Sequence, residues 1–114
     1  MLMSADFNIT LEAHNESLVM KTDGYINNVA GEKILDEFTK SFTSGMNKLV
    51  IDLEKSKVVN SIGISYLIDI IEKLNQSNSK LIFTNLDPTI EKTFNIMGIF
   101  QFAQKADSVE AALK

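Results

Sequence analysis

Leu49-Val50-Ile51-Asp52-Leu53, followed by Val58-Val59-Asn60-Ser61-Ile62-Gly63-Ile64, is the stretch from which the fold can be read. Its first part is short and nearly continuously apolar, the pattern of a strand covered on both faces. After a loop around Glu54 to Lys57 the period changes: Ile64, Leu67, Ile68, Ile71 and Leu74 recur on one helical face. Leu81-Ile82-Phe83 then supplies a second buried strand. Strand, helix, strand in that order implies a parallel pair joined by a right-handed crossover.

Toward the amino terminus, Phe7, Ile9 and Leu11 alternate with polar residues, and Leu18-Val19-Met20 follows the turn signal His14-Asn15-Glu16. The two runs predict an antiparallel hairpin. Asp23-Gly24 breaks the second strand or bends it, and Asn27-Asn28 is the expected entry to a helix whose stripe is Ile34, Leu35, Phe38 and Phe42, with Gly45 as the expected stop. Glu32, Lys33, Glu37 and Lys40 belong to its solvated side. Toward the carboxyl terminus, Asp87-Pro88 reads as N-cap and first helical residue, Ile90, Phe94 and Met97 as the apolar stripe, and Gly98 as the end. A short strand near Phe100 to Ala103 and a helix from about Asp107 to Leu113 complete the chain. The expectation is an α/β fold in one domain over residues 1–114: a mixed sheet of four or five strands carrying about four helices.

Composition narrows the function. The chain has 114 residues, no cysteine and a formal charge of -4. It is long enough to bury a core without staples, and neither a disulfide framework nor a thiolate zinc site can form. The negative charge opposes a phosphate backbone, so direct nucleic-acid binding is not expected. Met1-Leu2-Met3-Ser4-Ala5-Asp6 carries no basic region or apolar run of an export signal. No segment reaches the ~20 apolar residues of a membrane span, so a soluble cytoplasmic protein is expected.

Ser61 directs attention because it places a hydroxyl where a helix opens after a buried strand. It has two readings. A serine there can cap the helix by accepting a backbone N–H, worth about 1 kcal/mol. It can also be phosphorylated, with the phosphate facing free N–H groups at the positive helix end. Projection at 100° per residue leaves Ile62 and Tyr66 on the side of Asp69 and Lys73 rather than in the core, which suggests a partner surface beside Ser61.

At these residues the chain resembles the STAS-domain anti-sigma factor antagonists, whose Asp-Ser-Ser/Thr-Gly-Leu-Gly type motif leads from a strand into a helix. The matching stretch is Val58-Val59-Asn60-Ser61-Ile62-Gly63-Ile64, and the likeness extends to the amino-terminal strands, Gly24-Tyr25-Ile26-Asn27 and Asp87-Pro88…Phe94…Gly98-Ile99-Phe100. The resemblance implies binding to an anti-sigma factor, a serine kinase with a histidine-kinase-like ATPase fold, so that sigma factor is released. It implies phosphorylation of Ser61 by that kinase and reversal by a PP2C-type phosphatase. Asn27, Asn60, Ser61, Ile62, Gly63 and Tyr66 become the expected partner-binding residues. ATP belongs to the kinase, so no cofactor is expected here. Asn60 stands where the family usually has Asp, Ile62 where it has a second hydroxyl, and Asn27 where it often has an acidic residue. The alternative implied is a STAS scaffold or subunit of a transport or signalling assembly without phosphorylation.

Enzymatic readings have little to build on. His14, the one histidine, falls in a predicted hairpin turn, and Ser61 lacks a Gly-x-Ser-x-Gly setting. Metal-ligand spacings, a P-loop and a dinucleotide fingerprint are absent from the sequence. Small-molecule sensing is a third possibility; Phe38, Phe42, Phe83, Phe94 and Met97 at their spacings read as core rather than as a ligand pocket.

Overall fold

In the computed structural model, residues 7–114 are described; Met1–Asp6, read above for export signals, lie outside the described residues. The chain runs β1 (Asn8–His14), β2 (Ser17–Asp23), α1 (Asn28–Ser41), β3 (Lys48–Lys55), α2 (Ser61–Gln76), β4 (Lys80–Thr84), α3 (Pro88–Ile96), a 3-10 turn (Ile99–Gln101), β5 (Gln104–Ala106) and α4 (Val109–Ala112). The strands form one sheet in the order β1-β2-β3-β4-β5. β1 and β2 pair antiparallel through the hairpin. The other pairs are parallel, with Leu49 opposite Leu81 and Ile51 opposite Phe83 in the βαβ unit.

Spatial order equals sequence order, and successive right-handed crossovers therefore put their helices on the same face. α1, α2 and α3 share one layer. Leu18, Met20, Leu49, Ile51, Leu53, Leu81 and Phe83 meet Ile34, Phe38, Leu67, Ile71, Ile90 and Phe94 there in the main core. Among the described residues the opposite face receives α4, whose Ala112 covers Val19, Val50 and Ile82. Lys48 Nζ donates to the Ala112 carbonyl at 2.8 Å, satisfying an end of that short helix.

Several expected details shift. α1 stops at Ser41, not at Gly45: Phe42 is already extended, and leaving the helix there lets its ring stack on Phe38 at 5.2 Å. Gly45, at φ +95, serves the following turn. On α2, Ile70 is fully buried and Ile68 only partly so, because the helix packs against α1 as well as the sheet and its buried arc rotates that way. Met97 is outside the core: α3 ends at Ile96, Gly98 takes a left-handed φ of 73, and Ile99 fills the apolar place instead. The last strand is Gln104–Ala106, not Phe100 to Ala103. The tight turn first packs Phe100 against Phe94 at 6.1 Å, and only then does the chain align with β4. α4 is shorter than expected, with Ser108 as its N-cap.

Candidate functional site

The site begins where β2 and β3 end. Gly24, at φ 124, turns the chain out of β2, and its N–H donates to the Lys55 carbonyl at 3.0 Å. The two loops then continue the pairing: Ile26 N–H donates to Val58 O at 3.0 Å, Asn60 N–H donates to Ile26 O at 3.1 Å, and Ile26 bridges Val59. This zipper brings the starts of α1 and α2 together. Asn27 caps α1 by accepting from Ala30 N–H at 3.0 Å, and Asn60 caps α2 by accepting from Gly63 N–H at 2.8 Å.

The cap reading of Ser61 is thereby corrected. Asn60 takes that place, and Ser61 is the first residue inside α2, exposed, with no hydrogen bond to its hydroxyl among the described residues. The Asn at the usual Asp position keeps the amide oxygen that capping requires.

The other candidates divide between surface and support. Asn27 and Asn60 are half-buried and Ile62 is 52% exposed. Gly63 is buried beneath the loop: a Cβ there would lie 2.9 Å from the Ile26 carbonyl carbon. It contributes close packing rather than surface. Tyr66 is half-buried, not solvent-facing, because its ring lies over Gly31 of α1, where a Cβ would come within 2.5 Å of Tyr66 Cδ2. Around Ser61 the exposed apolar residues are Tyr25, Val29 and Val58 together with Ile62. The first three escaped the sequence reading, since they belong to separate segments and no single period links them. Within residues 24–31 and 56–66 the one charged side chain is Lys57. The rim is thus apolar and nearly neutral.

A buried polar network supports the loops from below. Ser56 and Thr22 hydroxyls are 2.7 Å apart. Asp52 Oδ1 accepts from Thr84 Oγ1 at 3.1 Å, Asn85 Nδ2 at 2.8 Å and Glu54 N–H at 3.3 Å. Sequence reading took Asp52 as part of an apolar strand. The available signal was the carboxylate itself, which cannot be buried without such partners, next to hydroxyl or amide residues at each strand end. His14 lies at the far end of the sheet, opposite Ser17 at the start of β2. It approaches Glu12 at 3.1 Å, and this hydrogen bond, with Lys21 nearby, holds the Glu12 carboxyl below the usual carboxylate range. Among the described residues no three His, Asp or Glu side chains converge as metal ligands, and no helix is long and apolar enough to cross a membrane.

A mostly parallel sheet with a free hydroxyl at a helix mouth, framed by exposed apolar residues and supported from beneath, defines a single-sheet α/β domain. The chain belongs to the STAS domain family, which it matches over residues 8–112. It is 24% identical over 104 residues to BtrV of Bordetella bronchiseptica, a protein named as an anti-sigma factor antagonist, covering 91% of this chain and 90% of that one. Its fold is that of an anti-sigma factor antagonist from Mycobacterium paratuberculosis, with TM-score 0.82, 20% identity and coverage of 97% and 96% of the two chains. It is also similar to SpoIIAA, unphosphorylated at TM-score 0.71 (22% identity, 90% and 91% covered). The phosphorylated form from Bacillus gives TM-score 0.73 (22% identity, 91% and 96% covered).

Proposed function

We propose that this chain is an anti-sigma factor antagonist switched by phosphorylation of Ser61. Its partner is an anti-sigma factor serine kinase of histidine-kinase-like ATPase fold, docking on Tyr25, Asn27, Val29, Val58, Asn60 and Ile62 around that serine. Binding displaces sigma factor, phosphorylation ends binding, and a PP2C-type phosphatase restores it. The chain itself performs no chemistry and acts in the cytoplasm.

The observation that carries the reading is the state of Ser61: exposed, released from capping by Asn60, and centred in a rim with a single charge. A phosphate adds about -1.5 to -2 charges there, compatible with two adjacent helix starts but adverse to a partner fitted to a neutral apolar surface. Desolvation and repulsion of several kcal/mol correspond to roughly two to three orders of magnitude in affinity. Names of relatives agree, SpoIIAA being described in both phosphorylation states.

The test is incubation of the purified protein with its candidate anti-sigma kinase and ATP, followed by mass-spectrometric location of phosphate and titration of binding. Phosphate is expected on Ser61 and lost in Ser61→Ala, while Ser61→Asp should bind at least about tenfold more weakly. If an active kinase binds the protein and leaves Ser61 unmodified, the chain is instead a STAS scaffold without a phosphorylation switch.

A further inference from the structure

Exposed large apolar side chains among the described residues form two sets. Tyr25, Val29, Val58 and Ile62 frame Ser61, whereas Ile96, Met97 and Phe102 lie at the other edge of the helical layer, where α3 passes into the 3-10 turn. Beside this second set runs a groove of about 490 Å³. One wall is Ile68, Ile71 and Glu72 of α2; the other is Met97, Ile99 and Phe102. This volume falls in the range of roughly 300–1,000 Å³ typical of small-ligand sites. Met97, Gly98 and Ile99, at the turn that leaves Met97 outside the core, are among its lining residues.

Charge decides which ligand the groove takes. Asp69 is paired with Lys73 at 3.1 Å and Glu91 with Lys105, but Glu72 has no ion-pair partner among the described residues. Among the described residues no basic side chain lines the groove, and Asn75 and Gln76 add amides at the Glu72 end. The groove therefore offers an apolar floor with one free carboxylate at its margin. We infer that it binds a small amphipathic organic cation, its apolar body against Ile71, Ile99 and Phe102 and its ammonium or guanidinium group at Glu72. An anionic amphiphile meets Glu72 and the chain's net charge of -4 instead. The site is independent of the Ser61 reading: Glu72 lies eleven residues further along α2 (72 minus 61), about 16 Å at the helical rise.

The experiment titrates the isotope-labelled full chain, by NMR, with decyltrimethylammonium below its micellar concentration and, separately, with decyl sulfate. Saturable shifts are expected at Ile71, Glu72 and residues 97–102 with the cation, and weaker binding of the anion. Phe102→Ala, at a side chain 62% exposed and so without cost to the fold, should weaken the cation about tenfold. Glu72→Gln should weaken it about threefold, the scale of one exposed ion pair, and reduce the preference over decyl sulfate by at least that factor. Ser61→Ala should leave both affinities unchanged. Equal affinity of the two amphiphiles for the unmodified chain, shifts confined to the Ser61 rim, or unsaturable binding overturns the assignment. So does saturation by a basic amphipathic peptide with none by the decyl cation, which would make the groove a protein-docking site.

Discussion

Replacing Gly63 with alanine sets a local preference against a tertiary contact. By helix propensity alone the substitution on α2 should stabilise by about 1 kcal/mol. The structure predicts the opposite. An alanine Cβ would lie 2.9 Å from the Ile26 carbonyl carbon and 3.0 Å from Ile26 Cγ2, and would overlap the carbonyl oxygen. That oxygen is fixed backbone and accepts the Asn60 N–H at 3.1 Å. Forcing the loops apart costs about 2 kcal/mol as overpacking, and losing the hydrogen bond about 1 kcal/mol more. After the propensity gain the net loss is about 2 kcal/mol, or roughly 8 °C in melting temperature for a domain of this size. Urea and thermal unfolding followed by circular dichroism measure it, with exposed Ser65→Ala on the same helix as the reference, expected within about 0.5 kcal/mol of the parent. A Gly63→Ala protein that melts with or above the parent would refute the close approach of the two loops.

Asn60→Ala should lose about 1 kcal/mol in the same unfolding assay by removing the bond to Gly63 N–H, whereas Asn60→Asp keeps the acceptor and should match or slightly exceed the parent. Gly31→Ala should destabilise by about 1 kcal/mol through the Tyr66 ring, and the double variant with Tyr66→Ala should show less than the summed loss. Additive losses would mean the two residues do not touch. Asp52→Ala should cost about 3 kcal/mol, because Thr84 and Asn85 lose their shared acceptor in a buried setting; a loss under about 0.5 kcal/mol, as at a plain surface position, would sink the network account.

Order and type of the principal elements were legible because they rest on short-range physics. The apolar run Leu49 to Leu53, the helical stripe after it and Leu81-Ile82-Phe83 dictate a parallel unit, and Asp87-Pro88 starts α3 as its cap chemistry requires, with Asp87 accepting from Thr89 N–H at 3.1 Å. The misread details share a cause. Gly45, Met97 and Phe100 to Ala103 lie where a helix ends, and the end was decided by which aromatic or aliphatic side chain reached the core: Phe42 in one case, Ile99 and Phe100 in the other. Periodicity describes an element and says little about its last residue.

The sequence by itself determined the α/β class, the hairpin followed by parallel strands, and a serine at the opening of α2, since each depends on residues within one or two turns of one another. Tertiary structure alone decided what surrounds that serine. Asn60 could become the cap only once its N–H was held by the Ile26 carbonyl, a partner 34 residues earlier in the chain (60 minus 26), and this left the Ser61 hydroxyl free. Tyr66 turned toward α1 because Gly31 leaves room for its ring, and Val29, Val58, Tyr25 and Ile62 became one surface because two loops pair. Those contacts join distant segments, and whether a side chain is buried, bonded or exposed is set by its neighbours in space, which sequence spacing does not specify.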